Sequence, residues 1–156
     1  MTTMNNVVNI TNQPTQITMK VTTINGACFK FLLNLAPLSE EEINPALDCL
    51  VYGELVPRFN TPKIRDYIQE ALDTAALVFT RFCFDNGEYD HFYAVEMISD
   101  VVQAGLCSEE CGVRFLSDLH QLYGEYLAGS DNAERYIEQY LFEFFQNTRP
   151  FVFDVA

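Results

Sequence analysis

Hydrophobic positions fall on period two through the first 36 residues. Val8 and Ile10, then Ile17, Met19 and Val21, then Phe29, Phe31, Leu33 and Leu35 recur at alternate positions, the spacing of strands that bury one face. Asn12-Gln13-Pro14-Thr15 and Asn25-Gly26 separate the three runs. Asn-Gly suits the positive-φ corner of a hairpin, so the pattern predicts a three-stranded antiparallel meander.

After Pro37 the period lengthens to that of helices. Ser39-Glu40-Glu41-Glu42 has the form of a capping box, in which the serine oxygen accepts from the amide three residues on and Glu42 reaches back. Pro45 lacks an amide donor and restricts Asn44, which predicts either a short turn with a restart at Pro45 or one irregular helix ending before Gly53. Thr61-Pro62 is a cap followed by proline at the first helical position. Behind it Ile64, Tyr67, Ile68, Ala71, Leu72, Ala75, Val78, Phe79 and Phe82 recur at three- and four-residue steps, predicting a helix with one buried face that ends near Asn86-Gly87.

Three further helices are predicted downstream. Asp90 caps one carrying Val95, Ile98, Val101 and Val102 and stopping at Gly105. Ser108 caps the next, with Val113, Leu116, Leu119, His120, Tyr123 and Leu127 expected to face inward and Gly129 closing it; Gly112 and Gly124 inside that helix weaken the pattern. Asp131-Asn132-Ala133-Glu134 resembles another capping box before Tyr136, Ile137, Tyr140, Leu141, Phe144 and Phe145, and Pro150 ends that run. The expected fold is α+β: an N-terminal three-stranded antiparallel meander followed by four or five helices. The tail Phe151-Val152-Phe153-Asp154-Val155 is able to return as an extra strand. No repeat or linker interrupts residues 1–156, so one domain is expected.

Composition supports folding, since 49% of the residues are hydrophobic and 20% are charged, which is ample material for a core. Met1 to Met19 carries no charge, yet it is too rich in Asn, Thr and Gln to span a membrane or form a secretory signal. The expected location is therefore cytoplasmic. The odd number of cysteines, five, is scattered through apolar segments, the usage of small buried hydrophobes and not of a disulfide framework.

Charge changes the picture most. The chain carries 22 acidic and 9 basic residues, net −13. Between Asp85 and Glu143 stand 13 acids against Arg114 and Arg135, whereas Met1 to Phe84 holds 8 acids against 6 bases. Such a surface repels phosphate backbones and attracts basic ones.

Candidate chemistry is sparse. Cys107 and Cys111, with His91 and His120, are the residues a transition metal could use, but His120 lies nine residues past Cys111 and the spacing is poor for a tetrahedral site. Cys111 near a helix start would suit a nucleophile, were Glu109 and Glu110 beside it not unfavourable to a thiolate. Asp85, Glu88, Asp90 and His91 around Gly87 are oxygen-rich without matching a calcium loop. No hydrolase elbow, phosphate loop, zinc-protease motif or dinucleotide fingerprint occurs. Tyr123, Tyr126, Tyr136, Tyr140, Phe142, Phe144 and Phe145 outnumber the places on two buried stripes, so some should reach the surface, either as an interface composition or with tyrosine hydroxyls reaching water from the core edge.

These features predict an acidic, non-enzymatic protein that docks on a basic surface of a partner protein, a nucleic-acid-binding protein included, in the manner of a DNA mimic or an immunity-type inhibitor. The candidate face is Asp85, Glu88, Asp90, Glu96, Asp100, Glu109, Glu110, Asp118, Glu125, Asp131, Glu134, Glu138 and Glu143. No cofactor, metal, direct nucleic-acid contact or membrane partner is expected. The alternative is a chaperone-like or structural dimer that binds a partner segment through an apolar helix face.

Overall fold

A computed structural model describes residues 15–156. The fold is α+β. Strands β1 (Gln16–Thr23) and β2 (Cys28–Asn34) are joined across the Asn25-Gly26 corner, where Gly26 takes φ 87°. The hairpin is closed at its turn by Thr23 N–H to the Ala27 carbonyl (2.8 Å) and at its open end by Leu35 N–H to the Thr15 carbonyl (2.7 Å). Helices α1 (Glu40–Tyr52) and α2 (Pro62–Arg81) follow, with a single 3-10 turn at Pro57–Phe59 between them. A short ladder of β3 (Phe84–Asp85) and β4 (Glu88–Tyr89) leads to α3 (His91–Gln103), α4 (Glu109–Leu127), α5 (Ala133–Thr148) and the terminal strand β5 (Phe151–Val155).

The sheet is three-stranded and antiparallel, in the order β2-β1-β5. The tail therefore does return as a strand. It sits beside β1, with Ile24 N–H donating to the Pro150 carbonyl (3.1 Å) and Ala156 N–H to the Thr18 carbonyl (3.0 Å). The strand expected around Val8 and Ile10 lies outside the described residues.

Local signals account for most helix boundaries. At α1 the Ser39 amide donates to Glu42 Oε1 (2.8 Å), and Gly53 closes the helix in the left-handed region. Pro45 sits inside this one helix. Thr61 Oγ1 accepts from the Ile64 amide (3.4 Å) at the start of α2. Asp90 accepts from Tyr93 N–H (3.1 Å) and Ser108 from Cys111 N–H (3.0 Å), as expected of side-chain caps. Asp131-Asn132-Ala133-Glu134 departs from expectation: Asn132 is the cap residue, adopts φ 68° and makes no side-chain capping bond. Asn86-Gly87 departs too. With φ 52° and 82° it turns a hairpin, as Asn-Gly does where both central residues need positive φ.

Packing divides the chain into two compact units, one of residues 15–20, 29–68 and 153–156, the other of 21–28 and 69–152. In the first, Met19, Leu33, Leu50 and Ile64 are buried, and Phe31 meets Phe153 edge-on. Lys63 Nζ lies 2.7 Å from Glu42 Oε1, and Tyr67 donates to the Asn34 carbonyl. In the second, Phe79 and Phe145 are wholly buried with ring centroids 4.5 Å apart; burying a phenylalanine is worth about 1.5–3 kcal/mol. Phe115 of α4 stacks on Tyr140 and Phe144 of α5 at 4.3 and 4.1 Å.

The inward face of α4 is only partly the one expected: Leu119 is buried as predicted, and Leu116 and Tyr123 are half-buried. Gly112, Phe115 and Leu119 are buried, whereas Val113 and Leu127 stay 63% and 67% exposed and His120 is exposed. The buried stripe shares Leu119 with the expected one and is rotated from it toward Gly112 and Phe115. Gly112 shows why: a Cβ there would stand 2.4 Å from Val102 Cγ2, so α4 meets α3 at a point where only hydrogen fits.

Candidate functional site

The thirteen carboxylates between Asp85 and Glu143 all lie in the second unit. Asp90, Asp100 and Glu138 are half-buried and the other ten are exposed. Glu109 and Glu110 occupy the first turn of α4 and Glu134 that of α5, where unpaired amides favour negative charge. Asp118 accepts from the Tyr140 hydroxyl (2.7 Å), which ties it to α5. Beside the buried stripe of Ile137, Leu141 and Phe144, Glu134 and Glu138 project on one flank of α5 and Glu143 on the other. The negative charge thus leaves this unit from more than one side.

Little of that charge is neutralised. Among the described residues the acids of this stretch have one ion pair, Arg114 with Glu110 at 3.8 Å, both largely exposed, and such pairs contribute about 0–1 kcal/mol. Arg135 lies over the Tyr136 ring at 5.8 Å. Of the earlier cations, Arg58 pairs with Glu41, Lys63 with Glu42 and Arg65 with Asn60.

Two of the acids line a cleft. Glu96 and Asp100, one turn apart on α3, border a cavity of about 300 Å³ with Asn25, Tyr93, Val95 and Ser99. Asn25 Nδ2 donates to the Tyr93 hydroxyl (2.9 Å), which holds the hairpin corner against α3. Phe92, next to Tyr93, is 83% exposed.

A cluster of aromatic and imidazole rings joins β4, α3 and α4. The Tyr89 hydroxyl is 2.7 Å from His91 Nδ1, and His91 Nε2 is 2.8 Å from His120 Nδ1. Tyr123 stacks on His91 at 4.1 Å and nearly parallel. Burial, with Cys83, Tyr123 and Asp90 nearby, pushes the Tyr89 phenol far up, so it keeps its proton. In the tautomer in which Tyr89 donates to His91 Nδ1, His91 donates from Nε2 to His120. Burial and then the His120 charge hold His91 below the usual histidine range, with Asp90 opposing. Among the described residues the two imidazoles hydrogen-bond only to one another and to Tyr89. The cluster is thus an internal brace with one ring at the surface.

The structure brings His91 and His120 together, but not with Cys107 and Cys111 as a metal centre. Among the described residues no group of three or more His, Cys, Asp or Glu side chains could hold a metal ion. Cys111 is exposed, and burial with Cys111 nearby raises the Cys107 thiol. Asp85 and Glu88 pair across the β3-β4 ladder, while Asp90 is occupied as a cap. Of the aromatics weighed from sequence, Tyr136 is the exposed one, at 48%. Sequence reasoning missed Tyr89 and Phe92. Phe92 falls outside the buried stripe of α3 (His91, Ala94, Met97, Ile98, Val101), which was the available signal.

No helix among the described residues is long and apolar enough to cross a membrane. No family model, no curated protein and no solved structure matches this chain.

Proposed function

We propose that this protein is a non-enzymatic, cytoplasmic binding protein that docks through its acidic helical unit on a basic surface of a partner protein, as a DNA mimic or an immunity-type inhibitor does. The observation that carries the reading is the set of thirteen carboxylates, ten exposed and three half-buried, with a single exposed ion pair among them in the described residues. Unpaired charge of this density steers basic surfaces at long range and repels phosphates.

Capture of partners on the immobilised chain, at about 50 and about 200 mM salt, tests it. Basic proteins retained at low salt and released at high salt are expected, with duplex DNA competing if the partner's nucleic-acid groove is occupied. Recovery of acidic proteins alone, or capture indifferent to salt, overturns the reading. The second reading, a chaperone-like or structural dimer working through an apolar helix face, draws on the exposure of Val113 and Leu127 along α4.

A further inference from the structure

A cleft opens between the β1-β2 corner and α3, both parts of the same compact unit. Its walls are braced from within the chain. Asn25 donates from Nδ2 to the Tyr93 hydroxyl (2.9 Å), and Asn25 Oδ1 accepts from the hydroxyl of the buried Thr23. The cavity of about 300 Å³ stands at the small end of ligand pockets, which run from about 300 to 1,000 Å³, and so suits a single side-chain head.

Glu96 and Asp100 line this cavity one turn apart on α3, and the chain supplies them no counter-charge. Among the described residues no ion pair or side-chain hydrogen bond reaches either carboxylate. Asp90, Asp118 and Glu110 differ, being engaged by the Tyr93 amide, the Tyr140 hydroxyl and Arg114.

The lining selects the kind of cation. Hard metal ions take many oxygen ligands, and among the described residues no group of three or more His, Cys, Asp or Glu side chains could hold a metal ion. An ammonium is a compact, strongly hydrated charge, whereas a guanidinium is planar, weakly hydrated, carries five donors and stacks on aromatic rings. Positions 96 and 100 offer such a fork two carboxylate acceptors, and Tyr93 offers it a ring.

We infer that this cleft binds an arginine side chain of the basic partner, with its guanidinium held by Glu96 and Asp100 beside Tyr93, an inference that rests on the docking function proposed above. Two copies of this chain, each of net charge −13, repel one another, which favours a basic protein as the source of the arginine.

Heteronuclear NMR of the full chain at about 50 mM salt, titrated with N-acetyl-arginine methylamide and separately with the lysine equivalent, tests the inference. Saturable shifts at the Asn25 side-chain amide and at Tyr93, Glu96, Ser99 and Asp100 are expected, with the arginine compound binding at least about threefold more tightly. Glu96→Gln with Asp100→Asn should weaken that binding about tenfold. Asp66→Asn with Glu70→Gln, an exposed pair of the same spacing on α2, should leave it unchanged. Retention of the wild-type thermal midpoint verifies that both variants are folded. Equal weakening by the two variants, or equal binding of the two compounds, would overturn the cleft while leaving charge-driven docking intact. A lack of saturable shifts would also overturn the cleft, and the salt-dependent capture described above then decides the docking function separately. Calcium chloride moving the same resonances at lower concentration than the arginine compound would assign the cleft to a metal ion and overturn the inference. A sedimenting dimer that Glu96→Gln with Asp100→Asn abolishes would make a second copy the source of the arginine and overturn the partner.

Discussion

Gly112 of α4 lies so close to Val102 of α3 that a methyl group on it would stand 2.4 Å from the Val102 Cγ2. The contact fixes which side of α4 turns inward, and it makes the two glycines of that helix opposite in effect. Gly112→Ala gains about 1 kcal/mol of helix propensity but must push apart two packed helices, and overpacking costs about 1–3 kcal/mol. A net loss of stability is expected. Gly124→Ala meets open space and should stabilise by about 0.5–1 kcal/mol. Urea denaturation of the two variants checks both signs, and a stabilised Gly112→Ala would refute the close approach.

The imidazole pair predicts a loss of stability on mild acidification. His91 has its folded pKa lowered below 6.5; when the folded value is the lower one, the unfolded chain takes up the proton first. Stability is then full above about 6.5 and declines as pH falls below it, until folded His91 itself protonates. The groups facing the ring are Tyr89, Tyr123, His120 and Asp90, and of these only Asp90 favours the charged form. Protonating carboxylates relieves repulsion and acts in the other direction, so the measured quantity is the wild-type midpoint minus that of His91→Gln between pH 7.5 and 5.5, values chosen to bracket about 6.5. The difference should shrink with falling pH. A constant difference would show that His91 does not carry the effect.

Caps should separate by geometry and not by residue type. Asp90 and Ser108 each accept from an amide in the first turn, so Asp90→Ala and Ser108→Ala should each cost about 1 kcal/mol. Asp131 precedes a left-handed Asn132 that makes no side-chain capping bond, so Asp131→Ala should fall within about 0.5 kcal/mol of wild type. Thermal melts of the three variants give the comparison, and an equal loss at all three would contradict the assigned caps.

Thiol reactivity should follow burial. Cys28 and Cys111 are exposed, while Cys83 is buried and its thiol is pushed up to about 12 by burial and then by Asp90. A maleimide at neutral pH should label Cys28 and Cys111 first and Cys83 only on unfolding, because the thiolate is the reactive form. Peptide mass spectrometry after brief labelling reads the order. Early modification of Cys83 would show that the core around Met97, whose Sδ is 3.4 Å from its Sγ, opens readily.

Much of this fold is legible in the sequence because helix ends are local events. Ser39, Thr61, Asp90 and Ser108 act within three residues of themselves, and the left-handed glycines Gly53, Gly105 and Gly129 stop chains wherever they stand. Alternation along β1 and β2, and the acidity of the later helices, need no partner to be read. The β3-β4 ladder escaped because strands of two residues are too short to show a period.

What only the tertiary structure decided is pairing over distance. Two apolar stripes that share Leu119 run along α4, and periodicity cannot choose between them. The choice falls to Val102, which admits a glycine at 112 and nothing larger. His91 and His120 are 29 residues apart, and β5 finds β1 across most of the chain. Local chemistry sets where elements begin and end, because caps and turns are short-range bonds; packing sets which faces they bury, because that depends on what arrives from elsewhere in the chain.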